Sequence, residues 1–349
     1  MSNKESGVKT DRREFLIRSS KAGLLILSSC VTGYLFHNRN NSLLTADKNE
    51  AVSGLPDFSV KEAGGKMAVV KGDDRVKTIN LAFKAVGGIE TFIKKGDRVL
   101  LKVNAAFASP PALSATTNPQ LIEEVARLCY AAGAFSVAVT DNPINNPASC
   151  FALTGIESAA KRAGAKVIFP EESLFAPLTI EGGALIKDWP VFYQPLKNSD
   201  KVIGIAPVKD HQRSGASMTM KNWYGLLGGR RNIFHQDIHN IIKELAVMVK
   251  PTLVILDGTV SMMTNGPTGG SLSDLKQTNT MIVGTDQVAV DAYGATLLGK
   301  STGELAYIEK AHTAGAGNMD YRLLKPEILT PINGTLFSTS LRGVSTFTK

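Results

Sequence analysis

The chain has 349 residues, of which 43% are hydrophobic, 20% charged and 7% aromatic, with 32 Gly and 15 Pro. That composition excludes a disordered chain, a coiled coil and a disulfide-stapled miniprotein, and three Cys are too few for a zinc ribbon or an iron–sulfur cluster held by one chain. The formal charge of +8 is split evenly: residues 1–40 hold seven Lys/Arg against three Asp/Glu (+4), and the remainder holds 32 against 28 (+4). A mild excess without a basic run interleaved with aromatics argues against nucleic acid as a partner.

Asp11-Arg12-Arg13-Glu14-Phe15-Leu16-Ile17 resembles a twin-arginine export signal, with Asp11 and Ile17 departing from its usual flanks. The weakly apolar stretch Ala22–Phe36 is shorter than the ~20 residues of a spanning helix, so it reads as the core of a signal. Leu27-Ser28-Ser29-Cys30 resembles a lipobox, which would tether the mature protein to a membrane through Cys30; the alternative is cleavage that leaves no lipid. Residues 1–36 are thus expected to engage the twin-arginine translocase and send the protein to the periplasm. Residues 37–60 read as a polar linker, and 61–349 as a single α/β domain.

The body alternates. Met67–Val70 is a strand. Arg75–Ile93 has helical spacing, with Gly87-Gly88 as a break, and Arg98–Val103 is a buried strand. Asn118-Pro119 opens a helix that ends at Gly133, with Asn118 as the cap. Ser136–Thr140 is a strand, Ser149–Ala163 a helix and Lys166–Phe169 a strand; 170–200 is an irregular excursion. Val202–Ala206 resumes the sheet. Ile233–Val249 is a helix, Leu253–Leu256 and Met281–Val283 are strands, and Gln287–Leu298 is a helix. Such alternation implies an α/β fold with a largely parallel sheet flanked by helices, and a site at the carboxyl ends of the strands.

Those ends are polar. Lys102 and Asn104 close one strand, Asp141 another, Lys209-Asp210-His211 follow a third and Asp257 a fourth. His235 and His239 are four apart on the predicted helix, which would place both imidazoles on one face, as a two-histidine metal site requires. With His211 as a third ligand and Asp141 or Asp257 as carboxylate, they make a candidate site for a divalent metal or for acid/base work. Lys209, Lys221, Arg230 and Arg231 offer the alternative of an anion site with the histidines titrating beside it. Gly266, Gly269 and Gly270 belong to a Gly-rich loop whose backbone N–H groups would approach a phosphate or carboxylate. Gly294–Ser301 matches the P-loop pattern, but its leucines continue a helix face, so nucleotide binding is the weaker reading.

Lys102-Val103-Asn104, Thr117-Asn118-Pro119, Asp141, Pro207–His211, Met220-Lys221-Asn222 with Gly225, His235, His239, Asp257-Gly258, Asn265-Gly266-Pro267 with Gly269-Gly270, and Asp286–Asp291 together resemble the domain of unknown function 362 family over about residues 65 to 320. The resemblance supplies no reaction. It implies that these segments share one pocket, in which Lys102, Asn104, Asn222 and the loop glycines hold a ligand. The expectation is an exported protein with a metal- or anion-binding pocket, doing metal-assisted or acid/base chemistry on a small anionic substrate. The alternative is a non-enzymatic periplasmic binding or cofactor-maturation protein.

Overall fold

The computed structural model describes Val52, residues 54–332 and the strands Thr335–Ser340 and Gly343–Phe347. The paired arginines, the apolar stretch, Cys30 and most of the expected linker lie outside the described residues. The strands are β1 Met67–Lys71, β2 Arg98–Lys102, β3 Ser136–Thr140, β4 Lys166–Ile168, β5 Ala176–Leu178, β6 Trp189–Val191, β7 Lys201–His211, β8 Gly215–Ser217, β9 Leu253–Met262, β10 Leu275–Gly284, β11 Glu327–Ile332, β12 Thr335–Ser340 and β13 Gly343–Phe347. The α-helices are α1 Arg75–Ala85, α2 Pro119–Ala131, α3 Pro147–Leu153, α4 Ile156–Arg162, α5 Tyr193–Lys197, α6 Thr219–Asn222, α7 Ile238–Met248, α8 Gln287–Leu297 and α9 Ala306–Thr313.

The main sheet runs β13-β12-β11-β1-β10-β9-β7-β2-β3-β4, with β8 paired to the far end of β7. The block β9-β7-β2-β3-β4 is parallel throughout; β10 lies antiparallel between β9 and β1, and β11 pairs parallel to β1. The centre of the sheet is therefore parallel, as the alternation predicts, while the β10 pairings and the β11-β12-β13 edge are antiparallel. The excursion is equally visible: β5 and β6 form a separate two-stranded ribbon. It is held by the buried Glu244 carboxylate, which accepts the backbone N–H groups of Ala184, Leu185 and Ile186.

Side chains alternate across each strand, so the sheet divides the core in two. Val99, Leu101, Ile203, Ile205 and Ile255 pack under α1 and α2. Leu100, Val202, Val254 and Leu256 face Trp223, α7 and α8. Lys102 follows Leu100 by two residues and so enters this second layer.

Three expectations shift at element ends. The helix expected over Ser149–Ala163 is two helices, because the Thr154 hydroxyl bonds back to the Cys150 carbonyl at 2.7 Å and Gly155 turns left-handed at φ 73°. β7, β9 and β10 run well past the expected strands, since pairing in a hairpin and in the sheet stabilises polar residues that pattern alone assigns to loops. The helix expected from Ile233 starts only at Ile238. Arg231–Asp237 is a 3₁₀ stretch, and Asp237 at φ −131°, ψ 56° breaks the spiral before α7.

Candidate anion-binding cleft

The cleft opens to solvent where β2, β3 and β7 end. Its floor is an ion pair. Lys102 Nζ lies 2.7 Å from Asp141 Oδ1, with side chains 0% and 3% exposed. The ammonium also donates to the carbonyls of Val103 at 2.7 Å and Asn222 at 2.9 Å, so its three N–H groups are all engaged. Burial pulls the Lys102 pKa down and Asp141 opposes the shift. Asp141 further accepts the backbone N–H groups of Ala105 and Asn142.

Asn222 is consumed in the same way. Its amide donates to the carbonyls of Lys102 and Ile205, both at 3.2 Å, and accepts from Asn104 Nδ2 at 3.3 Å. Lys102 and Asn222, expected to hold a ligand, instead build the floor. Asn104 lines the cleft and keeps its buried Oδ1 without a partner. Gly225 completes the floor, since a Cβ there would overlap Asp141 Oδ1. The Lys-Asn-x-x-Gly spacing thus acquires a reason: Lys221 enters the cleft, Asn222 clamps the strands and Gly225 makes room for the ion pair.

The Asp286–Asp291 segment supports this arrangement from behind. Asp286 caps α8 through the Val288 and Ala289 N–H groups. Gln287 accepts from the Trp223 indole at 2.6 Å and donates to two carbonyls of the α7 end. Asp291 accepts the Thr219 N–H at 2.8 Å and the Met220 N–H at 3.1 Å, seating α6 and hence Lys221. Burial raises the Asp291 carboxyl to about 7 against these hydrogen bonds.

Three cations surround the cleft without a carboxylate within ion-pair distance among the described residues. Lys221 Nζ stands over the Tyr224 ring at 5.3 Å, and no hydrogen bond to a described residue holds it. Burial, then the Arg231 charge, brings its pKa down to about 8. Lys209 Nζ donates to the Ala115 carbonyl at 2.5 Å and lies 5.4 Å from the Phe107 ring; burial, then the Lys221 charge, brings it down to about 7. Arg231 is fixed by the carbonyls of Asn142 at 2.7 Å, Pro143 at 2.9 Å and Leu227 at 3.1 Å. Asp141, the carboxylate lining the cleft, already belongs to Lys102.

His211 and His235 stack over the cleft, with centroids 5.9 Å apart. His211 Nδ1 accepts the N–H groups of Arg213 and Ser214, both at 3.2 Å, capping the β7–β8 turn. The neutral ring therefore carries its proton on Nε2. Burial and the Lys221 charge push the His211 pKa down to about 2, so the ring is neutral. Tyr224 gives its proton to the Arg231 carbonyl, and burial raises its pKa to about 12. Its oxygen must then accept from His235 Nδ1 at 3.0 Å, which leaves His235 Nε2 as a lone pair. The two imidazoles are a matched donor and acceptor.

The metal site does not assemble: among the described residues no group of three or more His, Cys, Asp and Glu is placed to hold an ion. The break before α7 turns His239 away to stack on Tyr307 at 6.4 Å. Asp257 is taken by Arg75 Nε at 2.7 Å and by the Thr259 N–H. The glycines of the Gly-rich loop do not line the cleft. Gly266 packs on the Asp210 backbone, where a Cβ would overlap the carbonyl, and Gly269 folds onto Met262. Gly270 also lies outside the cleft; from this loop only Pro267 lines it. The P-loop match fails because Gly294–Leu297 is the last turn of α8 and Lys300 pairs with Asp210 at 2.9 Å. Cys129 and Cys150 are buried free thiols. Sequence reasoning missed Tyr224 and underrated Arg231; the aromatic inside Lys-Asn-x-x-Gly was the available signal.

The thylakoid-associated protein sll1697 of Synechocystis sp. is 25% identical over 228 residues, which span 61% of this chain and 67% of that protein. The lactate racemase apoprotein from Thermoanaerobacterium thermosaccharolyticum aligns over 70% of this chain at 12% identity and a TM-score of 0.38, a likeness too distant to transfer a site. This chain spans 60% of the racemase. Residues 99–296, more than half of the 349, match the family described as Domain of unknown function (DUF362), and the chain belongs to that family.

Proposed function

We propose that the cleft binds a small anion and moves a proton on it. One observation carries the reading: Lys209, Lys221 and Arg231 line a single cleft whose carboxylate is already paired to Lys102. Buried charges are costly unless compensated, and a ligand carboxylate or phosphate supplies the missing counter-charge. Lys221, with no hydrogen-bond acceptor among the described residues, is the principal anchor; Lys209 and Arg231 add charge. His211 Nε2–H donates to a ligand oxygen, while His235 Nε2 takes the proton. Both rings are held neutral by burial and by the nearby cations, so His211 polarises the ligand oxygen as a neutral hydrogen-bond donor while His235 is the base, gaining the positive charge as the ligand gives up its proton.

Isothermal titration with oxalate and with inorganic phosphate tests the binding. One-site saturation by at least one of them is expected, and Lys221→Met weakens it by roughly ten- to a hundredfold, the loss of one charge-assisted hydrogen bond. Absence of saturable binding by either anion, or equal affinity in Lys221→Met, overturns the proposal.

A further inference from the structure

The anion reading leaves one group unexplained. A lysine that only attracts anions has no need to be fully buried, yet Lys209 is 1% exposed and hydrogen-bonded, whereas Lys221, at 9%, makes no hydrogen bond to a described residue. Lys209 is also held in one orientation. The Ala115 carbonyl takes one N–H at 2.5 Å, the Phe107 ring covers another side, and Lys209 is among the residues that line the cleft. The charged groups felt by this amine are Lys221, which opposes its protonation, and Asp141, which favours it but is neutralised by Lys102.

We propose that Lys209 is a nucleophile that condenses with the carbonyl carbon of a small 2-oxo acid, whose carboxylate is held by Lys221. This rests on the anion-site reading and narrows its ligand to a carboxylate with an adjacent ketone or aldehyde. The lone pair of Nζ forms a C–N bond as the carbonyl π bond opens onto oxygen. The two amine protons leave with that oxygen as water, and an imine remains, so no oxidant or further reactant is consumed. Burial beside a second cation is how an amine is kept unprotonated near neutral pH. With its pKa brought down to about 7, Lys209 holds a substantial free-amine fraction near neutral pH. For an ordinary lysine the fraction is on the order of one in a thousand.

The test incubates the purified full-length protein with pyruvate and borohydride, which reduces an imine to a stable N-(1-carboxyethyl) adduct, and maps the adduct by peptide mass spectrometry. Modification of Lys209 is expected more than tenfold faster than of any exposed lysine. Oxalate slows it, and acetone, a ketone without a carboxylate, does not replace pyruvate. Lys209→Arg, checked for folding by circular dichroism, loses the adduct. Adducts spread over surface lysines, or concentrated on Lys221, overturn the proposal, and mapping of the unmutated protein decides this even if the variant misfolds. Oxalate binding without a Lys209 adduct sinks the nucleophile and spares the anion site. Failure of oxalate and phosphate binding sinks the anion site itself.

Discussion

The carboxyl edge of the sheet has two halves built from similar residues and used in opposite ways. Over β9 and β10, each carboxylate is answered by the protein: Asp257 by Arg75, and Asp274 by the Thr264 hydroxyl, the Asn265 amide and the Ser271 N–H. Over β2, β3 and β7, one ion pair is closed and three further cations are left around open space. The first half is closed by its own hydrogen bonds, and its glycines serve close packing. The second is incomplete, and the proposed anion site rests on that incompleteness. Charge type and strand-end position are shared; what differs is whether a counter-charge within the chain reaches the group.

Four changes press on this contrast. The largest effect is expected from Gly225→Val, which drives a side chain into the Asp141–Lys102 pair. Loss of a buried pair costs about 3–5 kcal/mol, read as a lower denaturation midpoint with loss of anion binding. A variant of unchanged stability would show that the floor is not structural. Arg75→Ala, in the closed half, strands the Asp257 carboxylate and is expected to cost ~2–4 kcal/mol while oxalate affinity stays within twofold. A large change in affinity would mean that the two halves are coupled.

The third is a pH titration. Lys209 and Lys221 hold their protons less tightly folded than unfolded, with values brought down to about 7 and about 8 from 10.5. The unfolded chain therefore binds more protons across the window from about 7 to 10.5, so this contribution raises stability with rising pH. Anion affinity moves the other way and falls roughly tenfold per pH unit above about 8, where Lys221 loses its charge. Affinity independent of pH between 7 and 10 would remove Lys221 as the anchor. The smallest effect is Lys300→Ala. Its pair with Asp210 is partly exposed, so ~1 kcal/mol or less is expected, with no change in anion binding.

Local signals in the sequence were dependable where neighbours in the chain supply the partner. Asn118 caps α2 by accepting the Gln120 N–H at 3.0 Å, Asp286 caps α8, and the apolar runs of β1, β2 and β3 lie where alternation places them. Polar strand ends also pointed to the edge of the sheet where the cleft opens. The same reasoning failed for His235 and His239. A spacing of four has one meaning on an α-helix and none across the break at Asp237, and that break goes with Arg231 reaching over to the Asn142 and Pro143 carbonyls, far away in sequence. It also assigned Lys102 and Asn222 to a ligand, because counting donors requires knowing which carbonyls surround them.

By itself, then, the sequence determined the strand–helix alternation, the parallel core and the set of polar groups delivered to its carboxyl edge, since hydrophobic period and caps act over a few residues. Only the tertiary structure decided which charges cancel. Lys102 meets Asp141 because β2 and β3 are neighbours in register, with Lys102 opposite Thr140, and Asp257 meets Arg75 across 182 residues. Electrostatics falls off over a few ångströms when screened by partners, so the fate of each charge depends on what the fold places beside it. Lys209 and Lys221 remain poised for a ligand because no carboxylate among the described residues was folded to within reach.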